Sequence, residues 1–228
     1  MKFLLTAINA KFIHSNPAIY SLRAGVGEKL QPYVELAEFT INESLESILE
    51  GIWKRQPKVI GFSCYIWNWK LIREILTELP KILPDTEIWL GGPEVTYDGP
   101  GLLSEFPQVT GIMVGEGEVT FREVLEQYLR EAETAGQSEQ QPESDSTEHQ
   151  VADRRGTVAG KSMVERFGQI PGLCLASGYT APRDLTDLTT LPFLYEDMEP
   201  FTNRIIYYET SRGCPYRCSY CLLYTSPS

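Results

Sequence analysis

Short apolar runs alternate with segments of helical period along the first 130 residues, and this alternation limits the fold more than any other feature. Residues 2–8 form the first apolar run. A helical stretch over 17–30 follows, with Pro17 suited to its first turn. Residues 33–40 read as a second strand. Asn42 or Ser44 can cap the next helix, which runs to about residue 55 with Leu45, Ile48, Leu49 and Ile52 on one face. A short buried strand over 59–64 leads into a helix over 67–79 carrying Leu71, Ile72, Ile75, Leu76 and Leu79. Strand 86–90 stops at Gly91-Gly92-Pro93. Strand 110–114 stops at Gly115-Glu116-Gly117-Glu118, which opens a helix to about residue 130, with acids favoured by the helix dipole.

Repeats of strand then helix predict an α/β fold, because right-handed crossovers bring successive strands into one parallel sheet with helices on both faces. The expected form is a flavodoxin-like (Rossmann-like), five-stranded parallel sheet in the order 2-1-3-4-5. Ligands of such sheets sit beyond the carboxyl ends of the strands. That rule selects the loops 9–16, 41–44, 63–68, 91–97 and 115–118.

The chain has 228 residues, 42% of them hydrophobic and 11% aromatic, enough for a packed core. Its formal net charge is -11. Residues 131–150 hold six acids (Glu131, Glu133, Glu139, Glu143, Asp145, Glu148) and no Lys or Arg, so much of that excess lies in one segment. The balance argues against nucleic-acid binding by a basic surface. From about 132 to 160 polar residues dominate without periodicity, a composition that cannot offset its ordering entropy. The expected organisation is an α/β domain over 1–130, an acidic low-complexity linker over 131–169, a connector over 170–200 and a second domain beginning at 201–228. Residues 171–177 can add a strand, with Gly178 at its turn. The N-terminal apolar run ends at Asn9 and Lys11, too early for a leader or a membrane span. Five cysteines, three of them close together, fit a reducing compartment, so a soluble cytoplasmic protein is expected.

Those three cysteines occur as Cys214-x3-Cys218-x2-Cys221, inside Arg212-Gly213-Cys214-Pro215-Tyr216-Arg217-Cys218-Ser219-Tyr220-Cys221. One tight loop thus offers three thiolates, which suits a cubane cluster with one iron left open. A structural zinc site or an electron-transfer cluster takes four protein ligands. Preceded by the apolar strand expected over 204–208, this motif resembles the start of a radical S-adenosylmethionine enzyme, with the first strand and cluster loop of its barrel. The resemblance implies that Cys214, Cys218 and Cys221 hold a 4Fe-4S cluster whose fourth iron binds S-adenosylmethionine, and that an electron from the cluster cleaves it to a 5′-deoxyadenosyl radical. Tyr220 matches the aromatic residue the family places before its third cysteine. An electron donor such as a flavodoxin or ferredoxin is implied as well. Cys64 and Cys174 lie in apolar runs and read as buried rather than ligating.

A second resemblance is carried by the strand-end loops. Ser63-Cys64-Tyr65 and Gly91-Gly92 resemble the Ser-x-Leu and Gly-Gly elements of cobalamin-binding domains, with Tyr65 in place of Leu. Implied cofactor contacts are Ser63, Tyr65, Gly91, Gly92, Pro93 and Glu94. The physical need is backbone without Cβ beside a bulky ligand and a small polar group for its tail. The first loop, Asn9 to Pro17, lacks the Asp-x-His-x-x-Gly motif that supplies a cobalt-ligating histidine. Cobalamin is therefore expected in a His-off form, with His14 a hydrogen-bonded loop histidine and Trp67 and Trp69 core or rim aromatics.

The two resemblances together imply a cobalamin- and S-adenosylmethionine-dependent radical enzyme, acting by methyl transfer to, or rearrangement of, an unactivated carbon. The chain stops seven residues after Cys221, whereas a radical S-adenosylmethionine barrel needs on the order of 150–200 more. An incomplete, inactive fragment with a truncated barrel is expected. Two alternatives stay open: a radical methylthiotransferase, and a non-enzymatic flavodoxin-like ligand-binding module with an iron–sulfur loop.

Overall fold

The computed structural model describes residues 2–138, 162–195 and 197–212. The strands are β1 (Phe3–Asn9), β2 (Val34–Thr40), β3 (Val59–Ser63), β4 (Glu87–Gly91), β5 (Val109–Met113), β6 (Leu173–Leu175) and β7 (Gly178–Tyr179). The helices are α1 (Pro17–Gly25), α2 (Leu45–Trp53), α3 (Trp69–Ile82), α4 (Gly99–Glu105), α5 (Gly117–Ser138) and α6 (Met163–Phe167). The sheet order is β2-β1-β3-β4-β5-β6-β7. Its first five strands are parallel and follow the expected 2-1-3-4-5 order.

Every residue of β1 is buried, as a central parallel strand covered on both faces requires. The alternation of the strands sorts their side chains into two cores. Leu4, Ile8, Ile60, Phe62, Ile88 and Leu90 face α2, α3 and α4, meeting Ile48, Ile52, Ile72, Ile75 and Leu103. Phe3, Leu5, Val59 and Trp89 face α1, α5 and α6, meeting Ile19, Phe121, Leu125 and Phe167. Helix starts follow the residues able to cap them. Asn16 accepts from the Ala18 amide at 3.1 Å with Pro17 behind it, Ser44 accepts from Ser47, and Asp98 accepts from Gly101.

The sheet has seven strands rather than five. The outer edge of β5 is covered by β6, which pairs antiparallel with it, and β7 pairs antiparallel with β6. Covering an otherwise open edge is the physical reason, since unpaired strand edges invite association. Part of the segment expected as a connector over 170–200 therefore belongs to the sheet. Helix α1 stops at Gly25 rather than near residue 30, where Gly27 adopts a φ of +78°. Helix α5 runs on to Ser138, beyond the expected end near 130.

After residues 139–161, which lie outside the description, α6 returns to the sheet with a capping box at Ser162 and Glu165. Its Arg166 is buried and reaches Glu87 of β4 at 2.9 Å and Glu131 of α5 at 2.9 Å. The Tyr128 hydroxyl donates to Glu87 at 2.7 Å and accepts from the Trp89 indole at 2.8 Å. Burial first, and then the Glu87 charge, push the Tyr128 phenol well above its ordinary value. Among the described residues no helix is long and apolar enough to cross a membrane.

Candidate functional site at the carboxyl ends of the strands

In the order β2-β1-β3, α1 leaves β1 toward one face and α3 leaves β3 toward the other. The crevice between the ends of β1 and β3 is thus the topological switch point of the sheet. Ser63 is the last residue of β3, paired in register with Gly91, the last residue of β4. Its hydroxyl accepts from Asn16 Nδ2 at 3.2 Å and faces the Thr6 carbonyl at 3.5 Å. The small polar side chain therefore sits at the crevice, half-buried.

The loops after β3 and β4 are fastened together. The Cys64 amide donates to the Gly91 carbonyl at 2.7 Å, and the Glu94 amide donates to the Cys64 carbonyl at 3.4 Å. Gly92 adopts φ +109°, and a Cβ there would lie 2.5 Å from the Cys64 carbonyl oxygen. Glycine is required at that position by both conformation and space. A Cβ at Gly91 would meet nothing closer than 3.8 Å, so the lip itself is open. Pro93 is exposed and Glu94 half-buried beside it. Tyr65 stacks on Trp67 with ring centroids 4.4 Å apart, and the face bearing Ile66 and Trp67 is exposed. Burial, then the neighbouring Cys64 and Glu209, raise the Tyr65 phenol.

Asn68 was not among the candidate residues, yet it organises the crevice. It is fully buried and donates through Nδ2 to the Ile8 carbonyl at 3.0 Å and the Ser63 carbonyl at 2.9 Å. Its Oδ1 accepts from the Tyr65 amide at 2.8 Å. One side chain thereby ties the ends of β1 and β3 to the start of α3. The signal available in the sequence was an asparagine directly before a helix-period run.

His14 stacks on Tyr207, with centroids 5.8 Å apart, and its Nδ1 hydrogen-bonds the Tyr207 hydroxyl. It is the hydrogen-bonded loop histidine that was expected. Tyr207 belongs to residues 204–212, which cross the same edge of the sheet. Within that segment Ile205 makes a single parallel bridge to His14, in place of the full strand expected over 204–208. Arg204 pairs with Glu38 beside a cavity of about 380 Å³ lined by Asn9, Phe12, Thr40 and Glu43. Arg212 pairs with Glu118 at 2.5 Å and with Glu209 at 2.7 Å. Burial alone would raise the Glu118 carboxyl, but Arg212 and Ser21 together hold it below its ordinary value.

Cys64 and Cys174 are buried free thiols, as expected, and burial pushes the Cys64 thiol far up. Among the described residues no group of His, Cys, Asp and Glu is arranged to hold a metal. Cys214, Cys218, Tyr220 and Cys221 lie outside the described residues.

This geometry fits what comparison with other proteins finds. The model of the B12 binding domain matches residues 4–125. The chain is 28% identical over 183 residues to the cobalamin-dependent radical SAM methyltransferase TokK of Streptomyces tokunonensis, covering 73% of this chain and 22% of that protein. It is 29% identical over 188 residues to the 2-(S-pantetheinyl)-carbapenam-3-carboxylate methyltransferase of Streptantibioticus cattleyicolor, covering 78% of this chain and 24% of that protein. The chain thus spans less than a quarter of the length of either relative. Among solved structures, the cobalamin-dependent S-adenosylmethionine radical enzyme OxsB with aqua-cobalamin and S-adenosylmethionine bound superposes with a TM-score of 0.61 at 18% identity. That superposition covers 96% of this chain and 28% of the OxsB chain. With the matched family model spanning more than half of its residues, the chain belongs to the B12 binding domain family.

Proposed function

We propose that this chain supplies the cobalamin-binding part, and the first segment of the cluster-binding part, of a radical enzyme using cobalamin and S-adenosylmethionine, with methyl transfer to an unactivated carbon as its reaction. The observation that carries this reading is the pairing of Ser63 with Gly91-Gly92 at the switch point of a B12-binding fold. The residues present fit the cofactor. Gly91 and Gly92 leave backbone without Cβ on one side, Ser63 offers a small polar group on the other, and Tyr65 and Trp67 offer apolar surface above. Bound cobalamin supplies a transferable methyl group, and a cluster with S-adenosylmethionine supplies the radical that activates the acceptor carbon. The residues of this chain hold and orient these groups. His14 is occupied by Tyr207, which supports a His-off mode of binding. Residues 201–228 are read as the beginning of the second domain, with Cys214, Cys218 and Cys221 as cluster ligands and Tyr220 beside them. A small flavodoxin or ferredoxin in a reducing cytoplasm fits as the electron donor.

Titration of the purified chain with hydroxocobalamin, followed by its visible spectrum, tests the first half of this reading. Saturable binding is expected, and His14→Ala should change the affinity by less than about twofold. Absence of binding to the wild-type chain would remove the cofactor assignment, and loss on His14→Ala would remove the His-off mode.

The cluster half is tested by anaerobic reconstitution with iron and sulfide. Any one of Cys214→Ala, Cys218→Ala or Cys221→Ala is expected to abolish the brown charge-transfer absorption, because the cubane then lacks a third thiolate. Cys64→Ala and Cys174→Ala should leave it intact. A cluster that survives Cys221→Ala, or is lost with Cys174→Ala, would show the ligand set to be wrong.

A further inference from the structure

Two carboxylates on opposite flanks of the parallel sheet take hydrogen bonds from the B12-binding fold but, among the described residues, find their cationic partners outside it. Glu38, on β2, has a side chain 9% exposed, and Glu118, in the first turn of α5, has one 6% exposed. Glu38 accepts from Asn9 Nδ2 at 2.9 Å, the Asn16 amide at 3.1 Å and the Tyr20 hydroxyl at 2.8 Å, but its cationic partner is Arg204. Glu118 accepts from Ser21 at 2.7 Å, and its cationic partner is Arg212, through two bonds of 2.5 and 3.2 Å. Both arginines come from residues 204–212, and each has a side chain less than a fifth exposed. Buried carboxylates are costly unless paired, and with residues 204–212 in place each of these two has its arginine.

The dimensions agree. From β2 to β5 the strand order takes four steps, about 19 Å at ~4.8 Å each. The eight residue-to-residue steps from Arg204 to Arg212 reach at most on the order of 26 Å when extended. The segment can therefore bridge the mouth of the sheet with little slack. Its start is held by the Ile205 amide on the Ile13 carbonyl at 2.6 Å and by Ser15 on the Ile205 carbonyl at 3.0 Å. Arg212 stands two residues before Cys214. Gly115-Glu116-Gly117-Glu118, readable in sequence as a simple helix start, is thus also the receptor for the residue that leads into the cysteines.

We infer that Arg204 and Arg212 are positioning residues that lock residues 204–212 across the carboxyl ends of the strands, fixing the course of that segment over the crevice. Only the use of this lock, to lead the chain toward the cysteine motif, rests on the proposed function. Arginine suits the task because its planar fork engages a carboxylate at two points and sets orientation as well as distance.

Pulsed electron–electron spin resonance measures the fixing without any cofactor. Cys214→Ala, Cys218→Ala and Cys221→Ala remove the motif thiols, and Cys64 and Cys174 are buried. Tyr208→Cys on the exposed segment carries one nitroxide and Lys70→Cys on exposed α3 carries the other. A narrow distance distribution is expected for this background. Adding Arg204→Met and Arg212→Met should broaden it, with amide exchange of β1 to β5 unchanged. Arg73→Met, which breaks an exposed pair with Glu105, should leave it narrow. If the double variant loses protection in the sheet, Arg212→Lys keeps the charge without the fork and should broaden the distribution in a folded chain. A distribution that stays narrow in the folded double variant or in Arg212→Lys overturns the inference. Failure to bind cobalamin would leave this measurement untouched, so the two readings fail separately.

Discussion

Replacing Arg166 by methionine is expected to cost about 3–5 kcal/mol of folding stability, measured by urea unfolding monitored through tryptophan fluorescence. The Arg166 side chain is 0% exposed, and its partners Glu87 and Glu131 are 9% and 13% exposed. Methionine fills most of the same volume but leaves two carboxylates close together in a site that water reaches poorly. The Tyr128 hydroxyl, which donates to Glu87, cannot neutralise either charge. The guanidinium also lies over the Phe167 ring at 4.7 Å and the Tyr128 ring at 5.1 Å, contacts that methionine replaces only in part. Arg73→Met provides the scale, because its exposed pair with Glu105 should be worth no more than about 1 kcal/mol. Equal losses for the two variants would show that Glu87 and Glu131 recover hydration when the arginine is removed. Glu131 and Arg166 flank the acidic segment in sequence, so the same network joins its two ends on the body of the domain.

Arg166 also marks where sequence reading stops. Strands β1, β3, β4 and β5 are legible because each is a short, largely apolar run, which a strand buried on both faces must be, while the edge strand β2 carries Glu35 and Glu38 among its apolar residues. Gly92 is legible because a positive φ and a close approach to Cys64 leave their mark on residue type, whereas Ser63 and Gly91 are singled out by resemblance alone. The apolar run over 171–177 marks β6, but the two-residue β7 carries no mark, and the pairing of both depends on an edge of β5 that exists only once the sheet has formed. Helix α4 begins Gly-Pro-Gly, against helix propensity, and is stabilised by Leu103 and Phe106 meeting the core. A five-residue helix following a polar segment gives no sign that its arginine is buried. Likewise Arg212 reads as part of a cysteine motif, and Glu118 as an acid favoured by the α5 dipole. Their pairing joins residues 94 positions apart, a relation that neither period nor composition encodes.

Gly92→Ala is expected to destabilise the domain by about 3 kcal/mol and to weaken hydroxocobalamin binding at least about tenfold. Two costs add at this residue. A φ of +109° is one that alanine adopts only with strain. The new methyl would also stand 2.5 Å from the Cys64 carbonyl oxygen and 3.1 Å from its amide nitrogen, both backbone atoms of a residue with no exposed surface. Relief requires the loop after β3 to move away from the loop after β4, breaking the 2.7 Å bond from the Cys64 amide to the Gly91 carbonyl. Ser63 precedes Cys64, and its carbonyl is held by Asn68, so the shift reaches the crevice itself. Gly115→Ala separates the two costs. Its φ is +82° with nothing within 4 Å of the added methyl, so it should lose only about 1–2 kcal/mol from strain. Binding should then stay near wild type, because the β3 and β4 loops keep their contact. Urea unfolding and spectral titration of both variants decide the matter: matching losses at Gly92 and Gly115 would mean that the close approach of Gly92 to Cys64 does not shape the crevice.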